Sequence, residues 1–428
     1  MRPIYVSSVK LSDFDISETR GFLPDEDPLE SIYSSCLEAP DRIWVQRYEP
    51  IARMLPKLMF AEAARGFIER ESDYFLDHQI KYNKAFNIAE VFDGDKRLLE
   101  SAMRTLSFIG NAYVWQGSES STSISHVKDT LPRGFAMLWY QVASALGRHP
   151  SLAYSSYALH NWRRLDPSGP IALGNIVLIN NFLGGLDEEG FIIPHDEIEA
   201  HAGPIPKTSL LLLRGLYYEN ENHIVRHLCG LRRALKKMYA TLQRIPEKCD
   251  ASFAYYNRVR PPINGWKGNP ALPNGLLYPG VSEYEDKPQQ FRGETGAQSS
   301  IIPLLDALLG IVHAPGQLTE YLMEMREYMP VGHRRFIELI EDFERIDGLS
   351  VFQFAEKHKH TKPRIYSLYK ECREWVEKFR TLHLEYSHRY IFAHQQKNAA
   401  NPTQVGTGGT PFPVYLKKHR DETRLENK

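Results

Sequence analysis

The spacing of apolar residues is the feature of this sequence that most restricts its fold. Apolar side chains recur every three to four positions from about residue 48 to residue 114 and again in three later stretches, whereas strict alternation of apolar and polar residues is rare. The first spacing places apolar side chains on one face of an α-helix, while alternation is what a half-buried strand requires. The sequence therefore predicts a mainly α protein.

Proline and glycine divide this helical pattern into segments. They cluster most clearly at residues 166–170 and 260–280, where they favour turns and loops. A chain of 428 residues is also long enough to form more than one domain. We predict a smaller, mostly helical domain over residues 1–185 and a larger helical domain over residues 186–428.

Charge and hydropathy exclude two classes of partner. The chain has 52 basic and 53 acidic side chains, and its formal net charge is −1. Nucleic-acid-binding proteins usually carry a basic stripe, and a membrane span needs about 20 consecutive apolar residues. Neither feature occurs in this sequence, so we expect no nucleic-acid partner and no membrane partner.

The cysteines indicate a reducing compartment. They are far apart and form no Cys-x-x-Cys pair, which argues against a zinc ribbon and against a disulfide framework. We therefore predict a cytoplasmic protein. The four cysteines are Cys36, Cys229, Cys249 and Cys372.

A helix predicted over residues 371–391 carries the most informative histidine. His383 lies at the edge of its apolar face, and His388 points to the polar side, where it is solvated. A lone neutral imidazole cannot complete a zinc site, but it suffices as the proximal ligand of a haem. His394 returns to the same face if the helix continues, and a core histidine bonded to a neighbour fits the pattern too. Periodicity alone leaves these alternatives open.

Two further features invite a functional interpretation. Asp306 lies in an apolar run, where an ionised carboxylate is costly unless a cation pairs with it. Arg380, one turn before His383, is a candidate partner, although an ordinary buried ion pair would look the same. The segment 406–410 is rich in glycine, but it lacks the Lys-Ser/Thr of a phosphate loop, so we interpret it as a flexible segment that can approach a ligand.

Several segments, taken together and in order, resemble the indoleamine 2,3-dioxygenase family. The resemblance extends from about residue 105 to residue 416. A single short motif of this kind would be weak evidence, but the agreement of many in sequence order makes coincidence implausible. The motifs are Ala112-Tyr113-Val114-Trp115, Leu131-Pro132-Arg133, Asn161-Trp162-Arg163-Arg164, Gly265-Trp266-Lys267-Gly268-Asn269-Pro270, Gln298-Ser299-Ser300, Met325-Arg326-Glu327-Tyr328-Met329-Pro330 and Gly406 to Thr410.

The resemblance implies a fold and a cofactor. The family has a smaller amino-terminal domain and a large helical domain that holds haem b. By position, His383 corresponds to the proximal ligand of the haem iron, Asp306 and Arg380 to the pair that braces it, and Gly296 to a cofactor-binding position. The implied partners are a small indole substrate, O2 as co-substrate and a reductant for the iron, and the implied state is a monomer or a weak homo-oligomer.

The resemblance also implies a reaction, in which O2 is inserted across the C2–C3 bond of tryptophan or a related indole to give an N-formylkynurenine-type product. Arg260 corresponds to the arginine that holds the substrate carboxylate. Because Pro261 disfavours helix at the preceding residue, we expect Arg260 to lie in an extended segment. The resemblance further implies catalytic roles for His195 and Thr407. It implies that the substrate is also bound by Tyr154, Tyr157, Phe191, Tyr255 and Tyr256.

Three departures from the family pattern concern the substrate. Glu294 replaces a small residue of the active-site loop and could bind a substrate amine or face solvent. Tyr255 and Tyr256 replace phenylalanines of the animal enzymes. His195 aligns with a serine of those enzymes but with a histidine of the related tryptophan dioxygenases, and the other interpretation of His195 is a surface histidine in a polar run.

Two alternatives to a tryptophan-cleaving enzyme remain at this point. One is an oxygenase of the same fold that acts on a modified indole in a biosynthetic pathway. The other is a non-catalytic haem-binding sensor, against which Arg260 and the glycine-rich segment argue, because haem binding alone needs neither.

Overall fold

The computed structural model describes residues 8–32, 43–82, 92–117, 126–250, 252–348, 350–394, 406–409 and 412–424. The protein is mainly helical, so the predicted fold class is confirmed. The strands in these ranges, β1 (Trp162–Arg164) and β2 (Ile176–Leu178), form one antiparallel pair in which Trp162 lies opposite Leu178.

The helix α3 (Lys96–Trp115) is the centre of the amino-terminal half. The Asp95 carboxylate caps it by accepting hydrogen bonds from the backbone N–H groups of Arg97 and Leu98, at 2.8 and 3.3 Å. Its residues from Leu98 to Trp115 are buried on every side, as is typical of a helix enclosed by others. The longer helices of this half are α1 (Ile43–Phe60), α2 (Ala64–Tyr82), α3 (Lys96–Trp115) and α4 (Arg133–Ala145).

The carboxyl-terminal half is built around the long helix α12 (Pro363–Ser387), which packs against α7 (Glu221–Leu242) and α13 (Phe412–Thr423). The helix α5 packs against α7 as well, and it also contacts the turns at residues 155–159 and 255–259. The longer helices of this half are α5 (Leu186–Ala202), α6 (Ile205–Tyr217), α7 (Glu221–Leu242), α8 (Ile301–Leu309), α9 (Gln317–Arg326), α10 (Val331–Asp347), α11 (Val351–Lys357), α12 (Pro363–Ser387) and α13 (Phe412–Thr423).

The buried apolar side chains form two clusters. The first draws mainly on residues 23–193 and also on residues 263–291. The second draws on residues 198–390 and also on residues 11–22. The clusters change over inside α5, close to the boundary predicted at residue 185. Each cluster also takes residues from the other side of it, so the division into domains 1–185 and 186–428 stays a prediction.

Three wide π turns interrupt the helical structure, and each carries or follows residues singled out in the sequence. They are Ser155–Leu159, Tyr255–Val259 and His388–Phe392. Single π turns within helices are frequently found at functional sites, because they redirect side chains that a regular α-helix would space differently. Among the described residues, no helix is long and apolar enough to cross a membrane.

Candidate active site

His383 lies on α12 and presents an exposed side chain. Burial in the surrounding protein, followed by the positive charge that His195 can carry, nevertheless lowers the pKa of His383 to about 4. A side chain that is both accessible and far from bulk water faces an internal space. No described residue hydrogen-bonds its ring, so a neutral imidazole is left available as a metal ligand. This combination fits the proximal ligand of a haem.

The two other histidines of this region are placed differently. The His394 ring stacks on Tyr256, with centroids 5.1 Å apart, and its Nε2 lies 3.2 Å from the Ser252 hydroxyl. His388 is exposed, as predicted, and lies beside Phe392. The assignment of the proximal ligand to His383 stays a prediction.

Asp306 and Arg380 form an ion pair between α8 and α12. Both carboxylate oxygens of Asp306 lie 2.7 Å from Nη2 of Arg380, whose side chain is buried. Burial alone would raise the pKa of Asp306, but the charge of Arg380 and a hydrogen bond with His313 hold it well below its usual value. The pair therefore fixes α8 against the helix that carries His383, three residues beyond Arg380.

His195 lies on α5 and is half-buried. Its Nδ1 lies 2.9 Å from the carbonyl oxygen of Phe191. Burial lowers the pKa of His195, so the ring is neutral near pH 7. Because a carbonyl oxygen can only accept, the single proton of the neutral ring is on Nδ1 and Nε2 carries a lone pair. The ring can therefore accept a hydrogen bond from a ligand.

An aromatic wall adjoins His195. The rings of Phe191 and His195 lie 5.3 Å apart, and those of Tyr154 and His195 lie 6.2 Å apart. Phe191 also contacts Tyr255 at 4.4 Å. Tyr157 is fully buried on the same side, and its hydroxyl has no partner among the described residues. The structure thus brings together side chains from the turn at 155–159, from α5 and from the turn at 255–259.

Arg260 is fully buried, and its guanidinium lies 5.6 Å from the centroid of the Tyr256 ring. Its backbone is helical, with φ −69° and ψ −40°, so the expected extended conformation is wrong. The bias before proline is steric, and here the Arg260 N–H bonds to the carbonyl of Tyr255, at 2.9 Å, across the wide π turn. Burial lowers the pKa of Arg260, whose charge acts on Tyr255 and Tyr256.

Glu294 is buried, with a relative exposure of 6%. Burial raises its pKa to about 8, and its charge acts on Tyr154, Tyr157 and Tyr255. The interpretation of Glu294 as a solvent-facing residue therefore does not hold. Its backbone carbonyl accepts a hydrogen bond from the Thr407 hydroxyl.

The two remaining predicted positions lie on either side of Glu294. The carbonyl of Thr407 accepts a hydrogen bond from the backbone N–H of Gly265, at 3.3 Å, which ties the glycine-rich segment to the active-site loop. Gly296 is exposed, and a Cβ atom added there would meet no atom within 4 Å. Its role in cofactor binding stays a prediction. Thr410, the last residue of the predicted glycine-rich segment, lies outside the described residues.

Sequence reasoning missed a buried carboxylate beside this wall. Glu199, one turn after His195 on α5, accepts hydrogen bonds from the Tyr154 hydroxyl at 3.0 Å and the Ser299 hydroxyl at 2.8 Å. Burial raises its pKa to about 7. Asp196 is fully buried too, and neither of its oxygens has a partner among the described residues. The spacing of Glu199 from His195 was the available signal, but the polar run around it indicated a surface.

Comparison with known proteins identifies the family. The profile of the family described as "Indoleamine 2,3-dioxygenase" matches residues 10–426. Rat indoleamine 2,3-dioxygenase 1 is 30% identical over 97% of this chain and 95% of the rat protein. Human indoleamine 2,3-dioxygenase 2 is 29% identical over 99% and 97%. The Saccharomyces cerevisiae indoleamine 2,3-dioxygenase is 26% identical over 99% and 94%. The resemblance found in the motifs is confirmed, and the chain belongs to the indoleamine 2,3-dioxygenase family.

Proposed function

We propose that this chain inserts O2 across the C2–C3 bond of tryptophan, or of a closely related indole amino acid, and so forms an N-formylkynurenine-type product. Membership of the family makes the chain a haem-dependent dioxygenase. The observation that carries the choice of substrate is that His195, with a lone pair on Nε2, adjoins an aromatic wall, and that the buried side chains of Arg260 and Glu294 both act electrostatically on Tyr255 of that wall.

The cofactor is proposed to be haem b, held by His383. The accessible, neutral ring of His383 fits this role, and the Asp306–Arg380 pair fixes the helix behind it. Gly296 leaves room beside the active-site loop. When bound, the haem supplies the activation of O2, and the protein supplies orientation, exclusion of water and a fixed arrangement of charges.

The substrate indole would lie against the aromatic wall of Phe191 and Tyr255, 4.4 Å apart. Nε2 of His195 would accept a hydrogen bond from the indole N–H, because the proton of this ring is held on Nδ1 by Phe191. One acceptor and one aromatic surface together fix the rotation of the indole plane. This arrangement would determine which edge of the indole, the C2–C3 bond or the benzo ring, faces O2.

The carboxylate and ammonium groups of the substrate would be recognised through their charges. Arg260 can pair with a carboxylate through two parallel hydrogen bonds, which fixes orientation as well as affinity. Glu294 can pair with an ammonium group, and its raised pKa means that its ionised form becomes favourable only when such a cation arrives. An α-amino acid carries both charges, so it satisfies both buried side chains at once.

Thr407 and the two buried tyrosines, Tyr154 and Tyr157, complete the pocket. The Thr407 hydroxyl holds the backbone of Glu294, so the glycine-rich segment closes over the same space. Tyr154 is fixed by its bond to Glu199. These residues exclude water, which strengthens every charge–charge interaction inside the pocket.

Compartment and assembly are also proposals. Cys229, Cys249 and Cys372 are free thiols in the structure, which is compatible with the reducing cytoplasm we propose. Cys36 lies outside the described residues. We further propose that the enzyme works as a monomer or a weak homo-oligomer and receives an electron from a cellular reductant.

The decisive experiment measures product formation. Reduced protein is incubated with tryptophan and O2, and N-formylkynurenine is detected by absorbance and mass. In Arg260→Ala, the apparent binding free energy for tryptophan should weaken by about 2–5 kcal/mol, because a desolvated charge pair is lost. Tryptamine, which has no carboxylate, should be affected much less. Equal losses for the two substrates would show that Arg260 does not read the carboxylate.

The second candidate function is an oxygenase of the same fold that acts on a modified indole. Glu294 and His195 favour it, because both depart from the pattern of the animal enzymes within the pocket. Incubation with a panel of ring-substituted and N-acylated indoles separates the two functions. A higher kcat/KM on a substrate whose side-chain amine is acylated than on tryptophan would favour this second function. It would also exclude the proposed pairing of Glu294 with an ammonium group.

A further inference from the structure

A cluster of ligand-type side chains lies outside the pocket described above. It joins the carboxyl end of α8 to the last described helix, α13. Asp306 lies on α8 and His313 follows it, while His419 and Glu422 lie on α13. The rings of His313 and His419 are 4.2 Å apart. Neither histidine has a role in the pocket.

His313 lies between two carboxylates. Its Nδ1 is 2.7 Å from Oε2 of Glu422, and its Nε2 is 3.1 Å from Oδ2 of Asp306. A neutral imidazole has one proton and can satisfy only one of these contacts. The second nitrogen then directs a lone pair at a negatively charged oxygen, which is repulsive at this distance. A metal ion bound to Nε2 would relieve this repulsion.

His419 presents a second lone pair to the same place. Its Nε2 lies 3.1 Å from Nη2 of Arg380. Because a guanidinium can only donate, Nε2 of His419 is the acceptor and the proton is on Nδ1. The same Nε2 lies 3.7 Å from Oδ2 of Asp306.

The distances fit a small tetrahedral ion. Zinc binds imidazole nitrogen and carboxylate oxygen at about 2.0–2.2 Å, so two ligand atoms of a tetrahedron lie roughly 3.3–3.6 Å apart. The two separations from Oδ2 of Asp306, 3.1 Å to His313 and 3.7 Å to His419, bracket this value. All three ligand atoms lie within 4.8 Å of one another. Glu422 holds the far nitrogen of His313, as outer carboxylates commonly do for metal-binding histidines.

We propose that Asp306, His313 and His419 bind one divalent transition-metal ion, zinc in the first place, with water as a fourth ligand. The ion would tie α13 to α8. Through Asp306, which also pairs with Arg380, it would support the helix that carries His383. The site is separate from the haem and does not take part in the proposed reaction.

Neighbouring charges set the expected strength of binding. The two carboxylates of the cluster, Asp306 and Glu422, already face two cations, Arg380 and Lys418, the latter with its Nζ 3.8 Å from Oε1 of Glu422. The guanidinium of Arg380 therefore repels a divalent metal ion. In addition, His419 must give up its hydrogen bond with Arg380 in order to bind the metal. We expect a micromolar site rather than the far tighter binding of a closed structural zinc site.

The test uses the haem-loaded protein and zinc alone. The protein is treated with EDTA, desalted and titrated with Zn²⁺ by calorimetry, and the zinc-to-iron ratio is then measured by elemental analysis. Wild-type protein should bind one equivalent, and zinc should raise its thermal unfolding temperature. His313→Gln and His419→Gln should lose the binding. The control His360→Gln, which replaces an exposed histidine outside the cluster, should retain it.

A further variant covers the case in which the histidine substitutions do not fold. Glu422→Gln keeps all three ligands and removes only the outer carboxylate, so it should bind zinc about 10- to 100-fold more weakly. The proposal is overturned if wild-type protein binds no zinc, or if both histidine variants bind it as wild type does.

Discussion

At the residue scale, the position of one proton on each histidine decides what the pocket can do. His195 is half-buried and donates from Nδ1 to a backbone carbonyl, so it offers an acceptor and no donor to the pocket. His383 is neutral and free of described partners, so it offers a ligand atom. The sequence places both residues near a haem by family resemblance. It cannot give the tautomer, because that depends on a contact made only in the folded helix.

The proximal ligand can be tested by three matched substitutions. His383→Ala should abolish stable haem binding, because it removes the only ring of the three that faces the internal space. His388→Ala and His394→Ala should largely keep the haem, since the first is exposed and the second is held by Tyr256. The measurement is the haem-to-protein ratio after purification. Haem retained by the His383 variant would contradict the assignment of His383 as the proximal ligand.

His195→Ser tests the acceptor in the pocket. The haem content should stay the same, since His195 is not a proposed ligand. The ratio of the rates on tryptophan and 1-methyltryptophan should change, because the second substrate lacks the N–H that Nε2 would accept. Steady-state kinetics with both substrates give the ratio. An unchanged ratio would place His195 outside substrate recognition.

Glu294 gives a prediction about protons. Its pKa is raised to about 8, so the carboxyl is largely protonated at pH 7 in the empty pocket. An ammonium group favours the ionised form, so binding should release a proton. Affinity for tryptophan should therefore rise with pH below pH 8, by at most about tenfold per pH unit. Calorimetry in two buffers of different ionisation enthalpy measures the release.

Two controls accompany this measurement. Glu294→Gln should bind tryptophan without proton release and without the pH dependence. Indole-3-propionate, which has no amine, should release no proton from the wild-type protein. Equal proton release by the variant and the wild type would assign the effect to another group.

At the element scale, the prediction from sequence is good for helices and poor for their ends. The helix predicted over residues 371–391 extends from Pro363 to Ser387 and then widens into a π turn. The apolar run that contains Asp306 forms a helix that stops at Leu309, because Gly310 adopts a left-handed conformation with φ +61°. Periodicity reports which face is buried, whereas helix ends depend on caps and tertiary contacts. The extended conformation expected at Arg260 is wrong for a local reason, because the hydrogen bond from its N–H to Tyr255 across the π turn outweighs the steric bias before proline.

The ion pair between α8 and α12 has consequences for the whole proximal side. Asp306→Asn and Arg380→Met should each weaken haem retention, because each leaves a buried partner without its counter-charge. Their effects should be strongly non-additive in a double-mutant cycle, since the second substitution removes a pair that is already broken. The rate of haem transfer to apomyoglobin measures retention. Additive losses in EDTA-treated protein would show that the two residues act separately.

At the scale of the whole molecule, the sequence predicts the class of fold and suggests residues for the pocket, but it does not reveal the internal polar network. Apolar spacing fixes a mainly helical chain, and family motifs lead to Arg260, Phe191 and His383. Glu199 and Asp196 look like surface residues in a polar run, yet both are buried. A linear pattern cannot show burial that arises when α5 is covered on several sides by distant segments.

Buried neutral histidines should make the folded state sensitive to acid, and His333 isolates the effect. Its ring lies 4.7 Å from that of Phe22, and burial lowers its pKa to about 3. In the unfolded chain the same ring takes up a proton near about pH 6.5. The unfolded state therefore binds more protons between these pH values, so the contribution of His333 to stability falls as the pH falls from 6.5 toward 3.

His333→Phe removes the group that takes up this proton and keeps an aromatic ring beside Phe22. Between about pH 4.5 and 6, the free energy of unfolding of the variant should fall less steeply with acid than that of the wild type, by about 1.4 kcal/mol per pH unit. Denaturant unfolding at several pH values measures both slopes. Buried carboxyl groups whose pKa is raised change stability with pH in the opposite direction, and their contribution cancels when one slope is subtracted from the other. His360→Gln, at an exposed position, should follow the wild-type slope. Parallel slopes for wild type and His333→Phe would mean that His333 takes up its proton in the folded chain as well.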